Sequence, residues 1–251
     1  MSTDPSQTTV DFDALDPLRD QYRETLITTR MLREELLRHH VALLCIDLQY
    51  LDAARGHGVF ADVAASGVPL GAQEYYFSEL ENTVLPNVRR LQDAFRAHGL
   101  EVIHSRIQSL TRDGRDRSPG HKRLNLHAPP NSKEAEFLEE VAPIGDEIVL
   151  NKTASGVFNS TNLQYLLRNL DISSIFIVGV YSNECVSTAV RDACDLGFYV
   201  TLIADACTTV TPELQEATIA TIKDRYARVM TTDEAIAEIV RVRESASQTA
   251  P

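Results

Sequence analysis

Nowhere in this 251-residue chain do apolar residues run on long enough to cross a bilayer, and the opening MSTDPSQTTVDFDALD has neither the basic nor the apolar region of a signal peptide. Membrane insertion and secretion are therefore not expected, and a cytoplasmic protein is. Basic residues are in deficit, with 24 Lys and Arg against 36 Asp and Glu and a formal net charge of -12. Such an outward field repels polyanions, which argues against a nucleic acid or an anionic membrane as partner. Cysteines are few and none is spaced as Cys-x-x-Cys. Cys45, Cys185, Cys194 and Cys207 are too sparse for a disulfide framework and read as reduced thiols. Internal repeats and low-complexity tracts are absent as well. What remains is one globular unit whose 43% hydrophobic content supplies a sizeable core.

What is present is an alternation. Residues 1 to about 16 read as a loose arm, and LRDQYRETLITTRMLREELLRHH as an N-terminal helix outside the main sheet, so 1–40 is set apart from a domain over 41–245. VALLCID (41–47) is a continuous apolar run that ends in an acid, the pattern of a strand covered on both faces. Helical spacing through Val84, Val88, Leu91 and Phe95 follows, then the strand LEVIHSR. After a long polar, basic loop from 107 to 131 come the strand DEIVLNK, the helix NSTNLQYLLRNL and the strand ISSIFIVGV. The helix ECVSTAVRDACDLG, the strand FYVTLIAD, the helix TPELQEATIATIKDRYA, a short RVMTT and the helix DEAIAEIVRVRESA complete the chain. Strands alternating with helices predict a three-layer α/β/α sandwich around a mainly parallel sheet.

In open sheets of this class, ligands bind beyond the carboxyl ends of the strands. Asp47 ends the first strand, Lys152 ends the third, and Cys185 follows the fourth through the turn GVYSNE, so three reactive groups converge on one edge. Taken singly, each has a plainer reading. A Cys in an α/β core is more often a small buried hydrophobe, an acid at a strand end can cap a loop, and most lysines are solvated. Their joint placement favours chemistry. A helix N-terminus and a neighbouring ammonium favour the thiolate of Cys185. Asp47 can take the thiol proton and later deliver it to a leaving amine, while Lys152 holds the carboxylate and keeps the local charge positive. Backbone N–H groups at Cys185 and near Tyr181 would face the developing oxyanion.

Three segments, ALLCIDLQ, VLNKTASGVFNSTNLQYLL and VGVYSNECVSTAVRDACDLGFYVTLIADAC, resemble the isochorismatase-like cysteine hydrolases over roughly residues 40–235. That family includes nicotinamidases, N-carbamoylsarcosine amidases, ureidoacrylate amidohydrolases and biuret hydrolases. The resemblance implies a Rossmann-like topology, a Cys185 nucleophile, an Asp47 base, a Lys152 partner and an oxyanion hole from the amides of Tyr181 and Cys185. It also implies a non-proline cis peptide at Val180–Tyr181 and a homo-oligomer, a dimer or tetramer. Two departures narrow it. The Asp-x-His pair with which nicotinamidases bind a metal is missing, so no metal and no cofactor is expected; His57, His104, His121 and His127 are scattered. The usual Asn-Asp-Phe after the first motif is replaced by YLDAARGHGVF.

The reading is of an amidohydrolase for a small linear amide or ureide, with isochorismatase-type vinyl ether cleavage and a non-catalytic scaffold as the alternatives. Tyr50, Phe158 and Asn183, which flank the motif residues, are assigned to the pocket lining together with Tyr226, and Arg225 to a carboxylate contact. Two readings of TRDGRDRSPGHKR stay open: a cationic substrate contact, or a solvated loop with internal Arg–Asp pairs.

Overall fold

The computed structural model describes residues 11, 14–23, 26, 28–62 and 66–249. Six strands form its sheet: β1 (Val41–Ile46), β2 (Glu101–Ile107), β3 (Ile148–Lys152), β4 (Ser174–Val180), β5 (Tyr199–Thr208) and β6 (Arg228–Met230), in the order β3-β2-β1-β4-β5-β6. All five pairings within it are parallel. The order reverses between β1 and β4, because the chain first builds outward through β2 and β3 and then returns to the other side of β1. Crossover connections leave a crevice at such a switch point, beyond the carboxyl ends of the two strands.

Side chains of a strand alternate between its faces, so a strand covered on both sides reads as an unbroken apolar run. Leu43 and Cys45 of β1, with Phe176, Val178 and Val180 of β4, enter one hydrophobic cluster with Val88, Leu91 and Phe95 of the helix Leu85–Ala97 and Ile239 of the helix Thr232–Thr249. Ala42, Leu44 and Ile46, with Ile175 and Ile177, enter the opposite one with Leu163, Leu167, Val190 and Ile222. These are the two outer layers of the sandwich.

The five expected strands are present within one or two residues, except that β5 continues past Asp205 to Thr208 after a shift in its pairing with β4 between Ile177 and Gly179, and the short RVMTT supplies a sixth strand, β6. Several helices differ from their sequence patterns. The expected N-terminal helix is two pieces, Arg19–Arg23 and Thr29–Arg38, with positions 24, 25 and 27 outside the described residues. Leu32 and Leu36 of the second piece are fully buried in the same cluster as Val41 and Ile239. Arg243 ties it further by donating to the Leu36 carbonyl at 3.2 Å. The helical spacing through Val84, Val88, Leu91 and Phe95 belongs to a run that begins at Leu70 and passes through a π-helical turn, Leu80–Val84, into Leu85–Ala97. The helix Pro212–Ile222 stops five residues early, since Asp224 adopts a left-handed backbone (φ 65°) and its amide bonds to the Ala227 carbonyl.

Gly179 sits where β4 passes closest to β1. A Cβ there would lie 2.1 Å from the Ile46 carbonyl oxygen, and its φ of +122° suits only glycine. The close approach brings the turn after β4 against the end of β1.

Candidate active site

Asp47 follows β1 with a positive φ of 55°, a conformation that short polar residues tolerate best, and its amide donates to the Ser105 carbonyl at 2.9 Å. The chain thus leaves the sheet abruptly, with the carboxylate over the crevice. Lys152 is the last residue of β3, two strands away from β1. Neighbouring strands lie about 4.8 Å apart, so only a long side chain can reach across β2. Cys185 lies in a π-helical turn, Ser182–Val186, that continues into the helix Ser187–Asp195. Such turns recur at functional sites. The peptide bond Val180–Tyr181, at the entrance to the turn, is cis, as the resemblance implies.

The three side chains meet. Lys152 Nζ is 2.8 Å from Asp47 Oδ2 and donates to Cys185 Sγ at 3.3 Å and to the Ala154 carbonyl at 3.2 Å. Lys152 thus joins one ion pair and two hydrogen bonds at a single buried point. Lys152, Asp47 and Cys185 are 0, 1 and 4% exposed. In so dry a place, burial drives the Asp47 pKa upward, and the Lys152 charge and hydrogen bond oppose it. Burial likewise opposes the Lys152 charge, but the negative charges of Asp47 and Cys185 prevail and move its pKa up. For Cys185 burial wins over Lys152, and Asp47 and Asp52 reinforce it, so the thiol pKa rises well above its usual value. This corrects the expected resting thiolate. The dry environment disfavours a third charge, and the resting site is a neutral thiol beside an Asp47–Lys152 ion pair.

The other thiols are of a different kind. Cys45 is fully buried in the core, with Gln92 Nε2 3.6 Å from its sulfur, and burial pushes its pKa up to about 12. Burial raises Cys194 and Cys207 too.

The proposed pocket residues divide. Tyr50 starts the short helix Tyr50–Ala53 just beyond Asp47 and is half-buried, with Lys133 Nζ 3.7 Å from its ring centroid. Asn183 lies in the same turn as Cys185 and accepts a short hydrogen bond from Thr209 Oγ1. Phe158 packs instead on Phe198, just before β5 begins, at 6.1 Å between ring centroids within the outer apolar layer. Arg225 and Tyr226 are placed at the end of the sheet opposite Cys185. They line a cavity of about 230 Å³ with Cys194, Gly197, Phe198 and Tyr199, and the Arg225 guanidinium stacks 4.4 Å over Tyr226 and 5.0 Å over Tyr22. Both residues lie where the crossover helix has returned the chain to the start of β6, at the amino ends of the parallel strands, so a contact with a substrate on Cys185 is not available to them within this chain.

Internal pairing is present within the basic loop. Arg115 pairs with Asp113 at 3.1 Å, Arg117 donates to the Leu126 carbonyl at 2.8 Å and Lys122 to the Arg115 carbonyl at 2.7 Å.

Three residues without an assigned role prove central. Gln49 donates to the carbonyls of Ile107 (2.9 Å) and Glu134 (2.7 Å) and accepts from the Ile107 amide, clamping the end of β2 to the segment that faces Tyr50. Asp52 is 3% exposed and brings a second carboxyl group to the site. His121, in the helix Pro119–Arg123, is 2% exposed, and neither ring nitrogen has a hydrogen-bond partner. That helix is docked beside Lys152 by the Ser118 amide, which donates to the Thr153 carbonyl at 2.9 Å. A lone acid within the apolar run YLDAA is a signal for Asp52. A single His in a polar loop offers none.

His121 makes stability pH-dependent. Burial first, then the charges of Lys152 and Arg117, push its pKa from 6.5 down to about 4. Between these values the unfolded chain takes up a proton that the native site refuses. The stability held by neutral His121 is therefore complete above pH 6.5 and is lost as pH falls toward 4. Replacing His121 with Leu is expected to flatten that fall by on the order of 3 kcal/mol. Urea unfolding of both proteins at pH 7.5 and 4.5 measures it, and parallel pH profiles would refute it.

Among the described residues, no group of three or more His, Cys, Asp or Glu side chains is placed to hold a metal ion, and no helix is long and apolar enough to cross a membrane. Compared with known proteins, residues 41–234 match the family described as Isochorismatase domain. An N-carbamoylsarcosine amidase from Arthrobacter sp. is 26% identical over 162 residues, which cover 61% of this chain and 60% of that enzyme. A ureidoacrylate amidohydrolase, RutB, from Rhizobium rhizogenes strain K84 is 24% identical over 215 residues, 79% of this chain and 82% of the relative. The solved structure of a cysteine hydrolase from Pseudomonas syringae pv. phaseolicola 1448A superposes with a TM-score of 0.65 over 83% of this chain and 94% of that one, at 22% identity.

Proposed function

From the premise that this chain belongs to the isochorismatase family, we propose that it is a cysteine-dependent amidohydrolase that cleaves the C–N bond of a small linear amide or ureide through an acyl-enzyme on Cys185. One observation carries this reading: a thiol, a carboxylate and an ammonium from three distant segments lie in direct contact at the switch point of the sheet. The relatives named as amidase and amidohydrolase support the bond type.

As the Cys185 sulfur attacks the carbonyl carbon, Asp47 takes the thiol proton and the carbonyl electrons move onto oxygen. The amides of Tyr181 and Cys185 hold that oxyanion. Collapse re-forms the carbonyl and breaks the C–N bond, and the proton on Asp47 passes to the departing nitrogen, which leaves as ammonia or an amine. Water then gives a proton to Asp47 and attacks the thioester, and the sulfur recovers that proton as it leaves. The neutral resting thiol suits this sequence, since sulfur becomes an anion only when its proton has somewhere to go. Lys152 keeps its charge throughout and prevents two negative groups from facing each other alone.

The test is ammonia release from a panel of linear amides and ureides, read together with the intact mass of the protein under turnover. A transient adduct of one acyl group and its loss in Cys185→Ser are expected; ammonia release that survives alkylation of Cys185 would overturn the acyl-enzyme, and vinyl ether cleavage would show as a carbonyl product formed from a vinyl ether without ammonia. We also propose a homo-oligomer in solution, since Leu15, Leu18 and Leu37 of the N-terminal segment are 49, 46 and 40% exposed. Light scattering on the eluting protein decides it, and a monomer mass rejects it.

A further inference from the structure

Asp52 has no part in the steps above, yet it is built into the same site. Its backbone carbonyl accepts hydrogen bonds from the hydroxyls of Tyr76 (2.7 Å) and Tyr181 (3.1 Å), so the short helix is pinned against the turn that carries Cys185. Its carboxyl group is 3% exposed, and Oδ2 has no hydrogen-bond partner. A buried polar oxygen left unpaired is costly, and where it persists beside reactive groups, a ligand is the natural partner. The electrostatic surroundings agree with this. Burial, then the charge of Asp47, raise the Asp52 pKa well above its usual value, against Lys152. Burial and the Asp47 charge thus both favour the protonated carboxyl, whose carbonyl oxygen accepts and whose hydroxyl donates.

We propose that Asp52 is a specificity-determining residue that accepts the N–H between the scissile carbonyl and the rest of the substrate, selecting ureides over the carbamates of the same shape in which oxygen replaces that N–H. This rests on the amidohydrolase reading. The reacting carbonyl oxygen is held by backbone amides, so the selective contact falls to the nitrogen side, where an ester has no hydrogen to give. A site built to bond an N–H rejects the isostere that lacks it, because its own acceptor is then left buried and unpaired.

A matched pair of probes isolates the contact: N-carbamoylglycine and its oxygen isostere, carbamoyloxyacetate, which differ by one N–H for O and both release ammonia. In the wild type the ratio of kcat/KM for ureide over carbamate is set by Asp52 together with intrinsic reactivity. Asp52→Leu is expected to lower that ratio about 30-fold, the range of a hydrogen bond to a buried group. Asp52→Asn, which keeps an acceptor oxygen, is expected to change it less than about 3-fold. Neither substitution is expected to lower Tm, because no bonded partner is removed. A ratio unchanged in Asp52→Leu, or a Tm that falls while both probes slow equally, gives Asp52 a structural role and overturns the proposal. Should the wild type turn over neither probe, calorimetry with Cys185→Ser compares binding of the same two compounds with and without Asp52→Leu. Preferential binding of the ureide that Asp52→Leu abolishes upholds the contact even if the hydrolase reading fails. Absence of preference in both turnover and binding rejects it.

Discussion

Cys185→Ala is expected to lower kcat by a factor on the order of 10⁴ or more, with little change in fold. The effect is large because the thiol is the bond-forming atom, and no other group in the site can take its place. Asp47 is held to Lys152 at 2.8 Å; of the remaining thiols, Cys45 and Cys207 are buried in the two hydrophobic layers, and Cys194 lines the cavity beside Arg225 at the other end of the sheet. Removing one buried sulfur costs about 1 kcal/mol in packing, so inactivity would not come from unfolding. Steady-state ammonia release with matched thermal melts checks both parts. Cys45→Ala serves as the control, since its pKa of about 12 and its place in the core keep it out of the chemistry. A Cys185→Ala protein that retained a tenth of wild-type activity would remove the nucleophile from the proposal.

Lys152→Met is expected to cost about 3–5 kcal/mol of stability at neutral pH and to abolish turnover. The ammonium is 0% exposed and is the counter-ion of a carboxylate that is itself 1% exposed. Taking it away leaves Asp47 buried and unpaired, and burial already raises the Asp47 pKa in the intact site. In the variant the folded pKa rises further above the unfolded value of 3.8, so the native state binds the proton that the unfolded state has released. The variant is then closest to wild type at low pH and falls progressively behind as pH rises through the folded pKa of Asp47. Denaturant unfolding from pH 4.5 to 8 reads the trend. The double substitution Asp47→Leu with Lys152→Met should recover much of the lost stability while remaining inactive, because an apolar pair carries no desolvation cost. A single Lys152→Met that is neutral at pH 8 would mean that the pair is not dry.

The motif residues were legible because each stands at the boundary of a clear pattern. VALLCI is apolar on both faces of β1 and stops at Asp47, IVLNK stops at Lys152, and SIFIVGV stops just before the turn of Cys185. A run that ends where an ionisable residue begins marks a strand end, and a parallel sheet sends all such ends to one edge. The misassigned residues share a different cause. Phe158 is adjacent to a motif in sequence, but its ring packs on Phe198 in the outer apolar layer, a contact made across the chain that sequence adjacency does not reveal. Arg225 and Tyr226 close the pattern of a crossover helix, and a helix between two parallel strands ends at the amino edge of the sheet, opposite the carboxyl edge that carries Cys185. Asp52 and His121 depend on contacts from segments far away in the chain.

From local pattern alone came the α/β alternation, the strand boundaries and the three residue types delivered to one edge, because apolar periodicity and chain punctuation are properties of neighbouring residues. The protonation state of the thiol, the wiring of the basic loop and the second buried acid were decided only by tertiary structure. These depend on how much water is excluded and on which charges come from elsewhere to replace it, and neither quantity exists until distant segments close around the same few ångströms.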